Sequence, residues 1–150
     1  MHPPHTGPAR PLDTDGMPWI PTGPGKAFRP LLFTADGWSE LMRLEPGSTV
    51  PLHRHTDEVH AFNLSGTREI FGTGERVGPG NYVYEPASTI DGWGAIGDEP
   101  CIVHIKVAGV IEYLDGSGQV TETASAATQR AVYLAWCQEH GVLPSDQILG

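Results

Sequence analysis

Two histidines separated by a single residue, His53 and His55, are the side chains of this sequence best placed to do chemistry. On a strand, alternate residues face the same side, so both imidazoles project together while Arg54 points away. A pair of neutral imidazoles on one face can close on a single divalent metal ion. His60 follows five positions later and reads either as a further ligand or as a satisfied interior histidine.

Asp91, Glu85 and His104 complete the chemically capable set. Asp91 sits in Thr-Ile-Asp-Gly, which also reads as a plain turn. Glu85 precedes Pro86 on the strand face opposite Tyr84, where it can orient a ligand, exchange protons or form a salt bridge. His104 alternates with Ile102 and Lys106, opposite the apolar face of Val103, Ile105 and Val107, and ranks last as a ligand. Phe62, Tyr82, Tyr84, Trp93 and Met42 are candidates to line a substrate pocket, against the ordinary alternative that strand aromatics fill a core.

The elements that must position these groups are short. Residues 49–55 read as the strand carrying the histidine pair, entered through the turn Glu45-Pro-Gly-Ser. Residues 59–64 and 67–71 read as a hairpin turning at Ser65-Gly66, and residues 81–85 as a strand after the break at Gly78-Pro79-Gly80. Upstream, Pro30 makes residues 28–33 an expected edge strand. Residues 38–44 alternate Trp38, Glu40, Met42 and Leu44 against Ser39, Leu41 and Arg43. The longest apolar segment, residues 101–114, is interrupted or bulged at Gly109, and the turn at 115–118 leads into a short strand, 119–123. A single helix is expected over about residues 124–140, with an apolar stripe of Ala131, Leu134, Ala135 and Cys137, with Tyr133 and Trp136 adding bulk, and with Gly141 to end it. This pattern predicts an all-β antiparallel barrel or jelly roll with a short C-terminal α-helix. Residues 1–16 are expected to form a flexible N-terminal arm, 17–123 the barrel, and 124–150 the helix and tail.

Composition narrows the function classes. A chain of 150 residues supports one well-buried core. With 18 Asp and Glu against 9 Lys and Arg, the formal net charge is -9, which disfavours a nucleic-acid partner. No apolar run is long enough to span a membrane, and the first residues lack the basic and apolar regions of a signal peptide. Cys101 and Cys137 are widely spaced and expected to be free thiols in a cytoplasmic protein. His2 and His5, in the arm, are expected to be incidental. The expected partner is a small molecule.

The segment Gly47-Ser-Thr-Val-Pro-Leu-His53-Arg-His55, followed by His60 and Gly66, resembles the first motif of the cupin superfamily. Gly80-Asn-Tyr-Val-Tyr-Glu85-Pro86 through Asp91 and on to Ala95 resembles the second motif. Three stretches are similar to the branch holding 2,4′-dihydroxyacetophenone dioxygenase and the cupin domains of ChrR-type anti-sigma proteins. They are His53-Arg-His-Thr-Asp-Glu-Val-His60-Ala-Phe, Tyr82-Val-Tyr-Glu-Pro86 and Gly109-Val-Ile-Glu-Tyr-Leu-Asp115-Gly. The resemblance covers roughly residues 17–123 and implies the double-stranded β-helix of cupins.

It also implies a ligand set. His53 and His55 match the metal-binding pair, while the second-motif histidine is replaced by Asp91 and the usual first-motif glutamate by His60. Two imidazoles and a carboxylate form the facial set of many non-haem iron oxygenases. The implied metal set is therefore His53, His55 and Asp91, with His60 as a further candidate, and Glu85 and His60 are the implied catalytic groups. The activity implied first is an Fe(II) dioxygenase cleaving a carbon–carbon bond of an aromatic hydroxyketone or β-dicarbonyl. A zinc, nickel or manganese isomerase, cyclase or lyase is the second expectation, and a non-enzymatic metal- or ligand-sensing module the third. Small cupins suggest a homodimer, for which an exposed edge at residues 28–33 would serve.

Overall fold

A computed structural model describes residues 7–150. The first six residues of the expected arm, with His2 and His5, lie outside the described residues. Residues 7–19 carry no regular element, yet Leu12 and Met17 pack against the core, and the Gln147 side-chain amide donates to the Pro11 carbonyl.

Twelve strands and two helices follow in chain order. They are β1 (Ile20–Gly23), β2 (Lys26–Phe33), β3 (Gly37–Leu44), β4 (Thr49–His55), β5 (Val59–Ser65), β6 (Thr67–Ile70), β7 (Arg76–Val77), β8 (Tyr82–Glu85), β9 (Ile90–Ile96), β10 (Cys101–Ala108), β11 (Ile111–Leu114), β12 (Val120–Ala124), α1 (Ala126–His140) and α2 (Asp146–Leu149). Two six-stranded antiparallel sheets form, ordered β1-β2-β3-β10-β5-β8 and β12-β11-β4-β9-β6-β7. Their inner faces enclose one core, in which Phe28, Leu44, Val59 and Val103 are fully buried. Among the described residues no helix is long and apolar enough to cross a membrane. Cys101 and Cys137 are buried free thiols.

One expected strand pairing is corrected. The segments around Ser65-Gly66 are not a hairpin, because β5 belongs to one sheet and β6 to the other. Gly66 is the corner between sheets: its φ is 68°, and a Cβ there would stand 2.2 Å from the Pro100 carbonyl oxygen. Gly109, with φ 72°, makes a second corner that splits residues 101–114 into β10 and β11 of opposite sheets. Strand β1 pairs with β2 only from Lys26 to Phe28, so residues 29–33 have β3 as their one strand neighbour and form the expected edge. Pro30 is tolerated because β1 pairs only as far as Phe28 and the β2–β3 register shifts between Pro30 and Leu32.

The helix starts at Ala126 behind an N-cap, Ser125, which forms a capping box with Thr128, and it ends at Gly141 in the left-handed conformation. Its buried residues are the expected Tyr133 and Cys137, four apart, with Trp136 packed against the core, while Ala131 and Ala135 of the expected stripe are exposed.

Gly66→Ala combines a forbidden Cβ contact with a positive φ. We expect it to cost at least about 2 kcal/mol in urea unfolding. A loss under about 0.5 kcal/mol would show that this corner is not tight.

Candidate metal centre

Strand β4 is central in its sheet, held between β9 and β11, and it places both histidines inside the barrel at 4% exposure. Its register against β9 shifts between Val50 and His53, where Pro51 has no N–H to give to the ladder. Gly92 of β9 allows close approach there, since a Cβ would lie 3.0 Å from the Val50 carbonyl oxygen. The irregularity brings the Pro51 carbonyl to 2.7 Å from Nδ1 of His53, which donates to it. That donation fixes the tautomer, leaving the His53 Nε2 lone pair facing His55.

The two Nε2 atoms are 3.1 Å apart, with the rings edge-to-face at 87°. Two nitrogens bound to one ion at about 2.1 Å and at right angles would stand about 3.0 Å apart. The pair therefore fits a shared divalent ion. Without one, a proton on Nε2 of His55 is donated to His53. Burial lowers the pKa of both imidazoles, that of His55 to about 4 with a further push from His53. Both are neutral at neutral pH, the state in which imidazole binds metal.

Glu85 is the carboxylate nearest the pair, its Oε2 3.8 Å from Nε2 of His55. It ends β8 facing inward with Val83, while Tyr82 and Tyr84 face out. Burial raises its pKa, the Arg68 guanidinium opposes that rise, and Asp91 adds to it. Among the described residues, no three His, Cys, Asp or Glu side chains already stand as a complete ligand cage.

Asp91, expected as the third ligand, pairs with His53 across β4–β9 but directs its carboxylate elsewhere. Oδ1 accepts from the backbone amides of Gly72 at 2.8 Å and Gly92 at 2.7 Å. A glycine at position 72 permits this approach, since a Cβ there would lie 2.5 Å from Oδ2. Asp91 still acts on the pair electrostatically, favouring positive charge on His53.

The other expected site residues are not brought together with the pair. His60, Phe62, Tyr82, Tyr84 and His104 lie on the outer face of the first sheet, because inward Val59, Ala61 and Asn63 take the alternate positions of β5 and Val103, Ile105 and Val107 those of β10. His60 hydrogen-bonds the Tyr82 hydroxyl and approaches Glu58, and His104 pairs with Ser39. The expected pocket aromatics Phe62, Tyr82 and Tyr84 are about half exposed there, while Trp93 and Met42 do line the interior cavity. Arg54 makes its outer salt bridge with Glu112.

A cavity of about 530 Å³ opens from the histidine pair. Sequence reasoning missed three of its polar groups. Arg68 is 3% exposed; its Nε donates to Asn63, its guanidinium lies 4.7 Å over the Trp93 ring, and one terminal nitrogen has no protein partner. Tyr113 sits across from His53 in the β4–β11 register, and burial, with Glu40 and Glu122, raises its pKa to about 12, keeping a neutral hydroxyl. Glu40 is 6% exposed and accepts a hydrogen bond from the Trp38 indole, and burial raises its pKa to about 7. Alternation of Glu40 with Trp38 and Met42 on the inward face was its one signal in the sequence. The outer wall of the cavity comes from the chain's end, Thr121 and Thr123 of β12 and Gln129 and Val132 of α1.

Glu40 and His55 have opposite linkage to pH. Glu40, with a raised pKa, contributes stability that is full below about pH 4.5 and lost as pH rises through about 7. His55, with a lowered pKa, contributes stability present above about pH 6.5 and lost as pH falls through about 4. The two slopes oppose each other between pH 4.5 and 6.5, each worth on the order of 3 kcal/mol. In metal-free protein, Glu40→Gln is expected to make stability fall with acidification across that window, and His55→Gln to make it rise. Urea melts giving both variants the same slope would refute this pairing.

Comparisons with known proteins follow the same lines. The structure superimposes on an RmlC-like cupin from Ralstonia eutropha JMP134 with TM-score 0.87 at 25% identity, over 94% of each chain. It superimposes on an acetylacetone dioxygenase from Acinetobacter johnsonii with TM-score 0.77 at 18% identity, over 90% of this chain and 97% of that one. The anti-sigma factor ChrR, in complex with SigE from Rhodobacter sphaeroides, matches 62% of this chain and 49% of its own, with TM-score 0.55 at 19% identity. No curated protein matches the sequence. Residues 9–110 match the family model of the ChrR cupin-like domain, and with both sheets, both glycine corners and the inward histidine pair in place, the chain belongs to that cupin family.

Proposed function

We propose that this protein holds a divalent metal ion, iron(II) foremost, at His53 and His55 and cleaves a carbon–carbon bond of an aromatic hydroxyketone or β-dicarbonyl with dioxygen. The observation that carries this reading is the 3.1 Å approach of the two Nε2 atoms, with His53 locked in one tautomer, at the wall of an aromatic-lined cavity. When bound, the ion supplies open coordination positions and redox chemistry. The fold likeness to an acetylacetone dioxygenase supports the β-dicarbonyl class.

The chain's own groups have separate tasks. Glu85 is the donor nearest the histidines and makes the set two imidazoles and a carboxylate. Asp91, tied to the Gly72 and Gly92 amides, adds negative potential opposite His53. Arg68, fixed on Asn63 and Trp93, presents a cation to an enolate or phenolate oxygen. Trp38, Trp93 and Tyr113 give the cavity an aromatic lining that suits a planar ligand.

Two carboxyl groups facing one cavity, Glu40 and Glu85, favour a second reading. In it zinc, nickel or manganese stabilises an enediolate and these carboxyls move the proton, as in an isomerase, cyclase or lyase.

Elemental analysis and oxygen uptake separate the two. Fe(II)-loaded protein is expected to consume dioxygen with pentane-2,4-dione or a hydroxyacetophenone, and turnover under strict anaerobiosis would favour the second reading. His53→Ala, His55→Ala and Glu85→Ala should each lower metal content about tenfold or more, while Asp91→Asn retains it. Full occupancy in both histidine variants would sink either reading.

A further inference from the structure

Glu40 stands out among the groups the proposed reaction does not require. It is the one carboxylate among the described residues that is almost wholly enclosed, and no lysine, arginine or histidine lies within ion-pair distance of it. A buried carboxyl with no cation would ordinarily be replaced by an apolar residue, because ionising it there costs several kcal/mol. Its position is nevertheless well determined. Strand β3 lies between β2 and β10, with Glu40 opposite Pro30 on one side and Ile105 on the other. One carboxyl oxygen accepts from the Trp38 indole, and the side chain borders the cavity that also contains His53, His55 and Tyr113. Tyr113 lines the same cavity, its ring centroid 5.8 Å from that of His53.

We propose that Glu40 is the specificity-determining residue of the cavity, donating a hydrogen bond to a hydroxyl or carbonyl oxygen of the ligand other than those held at the histidine pair. This rests on the reading of the cavity as a site for aromatic or dicarbonyl ligands. Anchored by the Trp38 indole through one oxygen, the carboxyl presents its other oxygen to the ligand without a rotamer search. The raised pKa supports a neutral, donating carboxyl below neutral pH. A ligand lacking the matching oxygen would leave this group buried and unpaired, which is how one polar group enforces selectivity.

The test uses zinc-loaded protein, so that binding is read without turnover, with 4′-hydroxyacetophenone and acetophenone as probes in calorimetric titrations. Wild type is expected to bind the hydroxylated probe at least about tenfold more tightly. Glu40→Leu should abolish that preference while leaving acetophenone binding within about twofold. Glu40→Gln, which keeps both an acceptor for Trp38 and a donor for the ligand, should retain most of it. Circular dichroism and zinc content of each variant report folding separately. Absence of a preference in wild type, or an undiminished preference in Glu40→Leu, overturns the assignment. Oxygen uptake by Fe(II)-loaded wild type is recorded alongside, so selectivity failing with uptake intact rejects Glu40 alone, whereas uptake failing with selectivity intact rejects only the dioxygenase reading.

Discussion

The irregular pairing of β4 with β9 is the constraint on which the site depends. A proline at position 51 cannot feed the ladder, a glycine at position 92 lets the strands close despite it, and the displaced carbonyl captures Nδ1 of His53. A regular strand would have placed both histidines inward by alternation alone. It would not have chosen the tautomer, and without that choice the Nε2 lone pair of His53 is not held toward His55. The metal-binding potential of the site is therefore written in backbone geometry as much as in histidine spacing.

Around that pair the barrel tolerates an unusual density of interior polarity. His53, His55, Glu40, Asn63 and Arg68 are all buried, and most are satisfied by neighbours rather than by solvent. Asn63 links the two sheets, donating to the carbonyls of Gly66 and Val77 and accepting from Arg68. The network thus runs from the glycine corner to the guanidinium over Trp93. Such interiors are costly if one member is lost, which ties the order of the site to the integrity of the fold.

Much of the fold was legible because strand alternation and turn chemistry are local. The inward face of residues 38–44, the His53–His55 pair, the break at Gly109 and the helix stop at Gly141 all followed from short stretches of sequence. What failed was information that resides in pairing. Ser65-Gly66 has the composition of a hairpin turn, but whether two strands pair or part at a glycine is decided by what lies across from it, here Pro100 and Cys101. The site shows the same division. The motif position of Asp91 suggested a ligand, yet the glycine at position 72, nineteen residues earlier in the chain, captures its carboxylate. Phe62, Tyr82 and Tyr84 have the residue type of a pocket lining or a core, yet alternation from buried Ala61 and inward Val83 points them outward. Arg68 and Tyr113 reach the cavity only through long-range register and left no local trace.

The cavity's outer wall belongs to β12 and α1, elements that follow the last strand of the two-sheet crossing and contribute threonine, glutamine and valine side chains rather than metal donors. The histidine pair and this wall are consequently separate stretches of the same chain. Substitutions at the wall positions would reshape the girth and polarity of the cavity while leaving the strand that holds the histidines as it is. Tyr133 and Cys137 of the same helix fill the core, so that freedom stops at the helix's inner face.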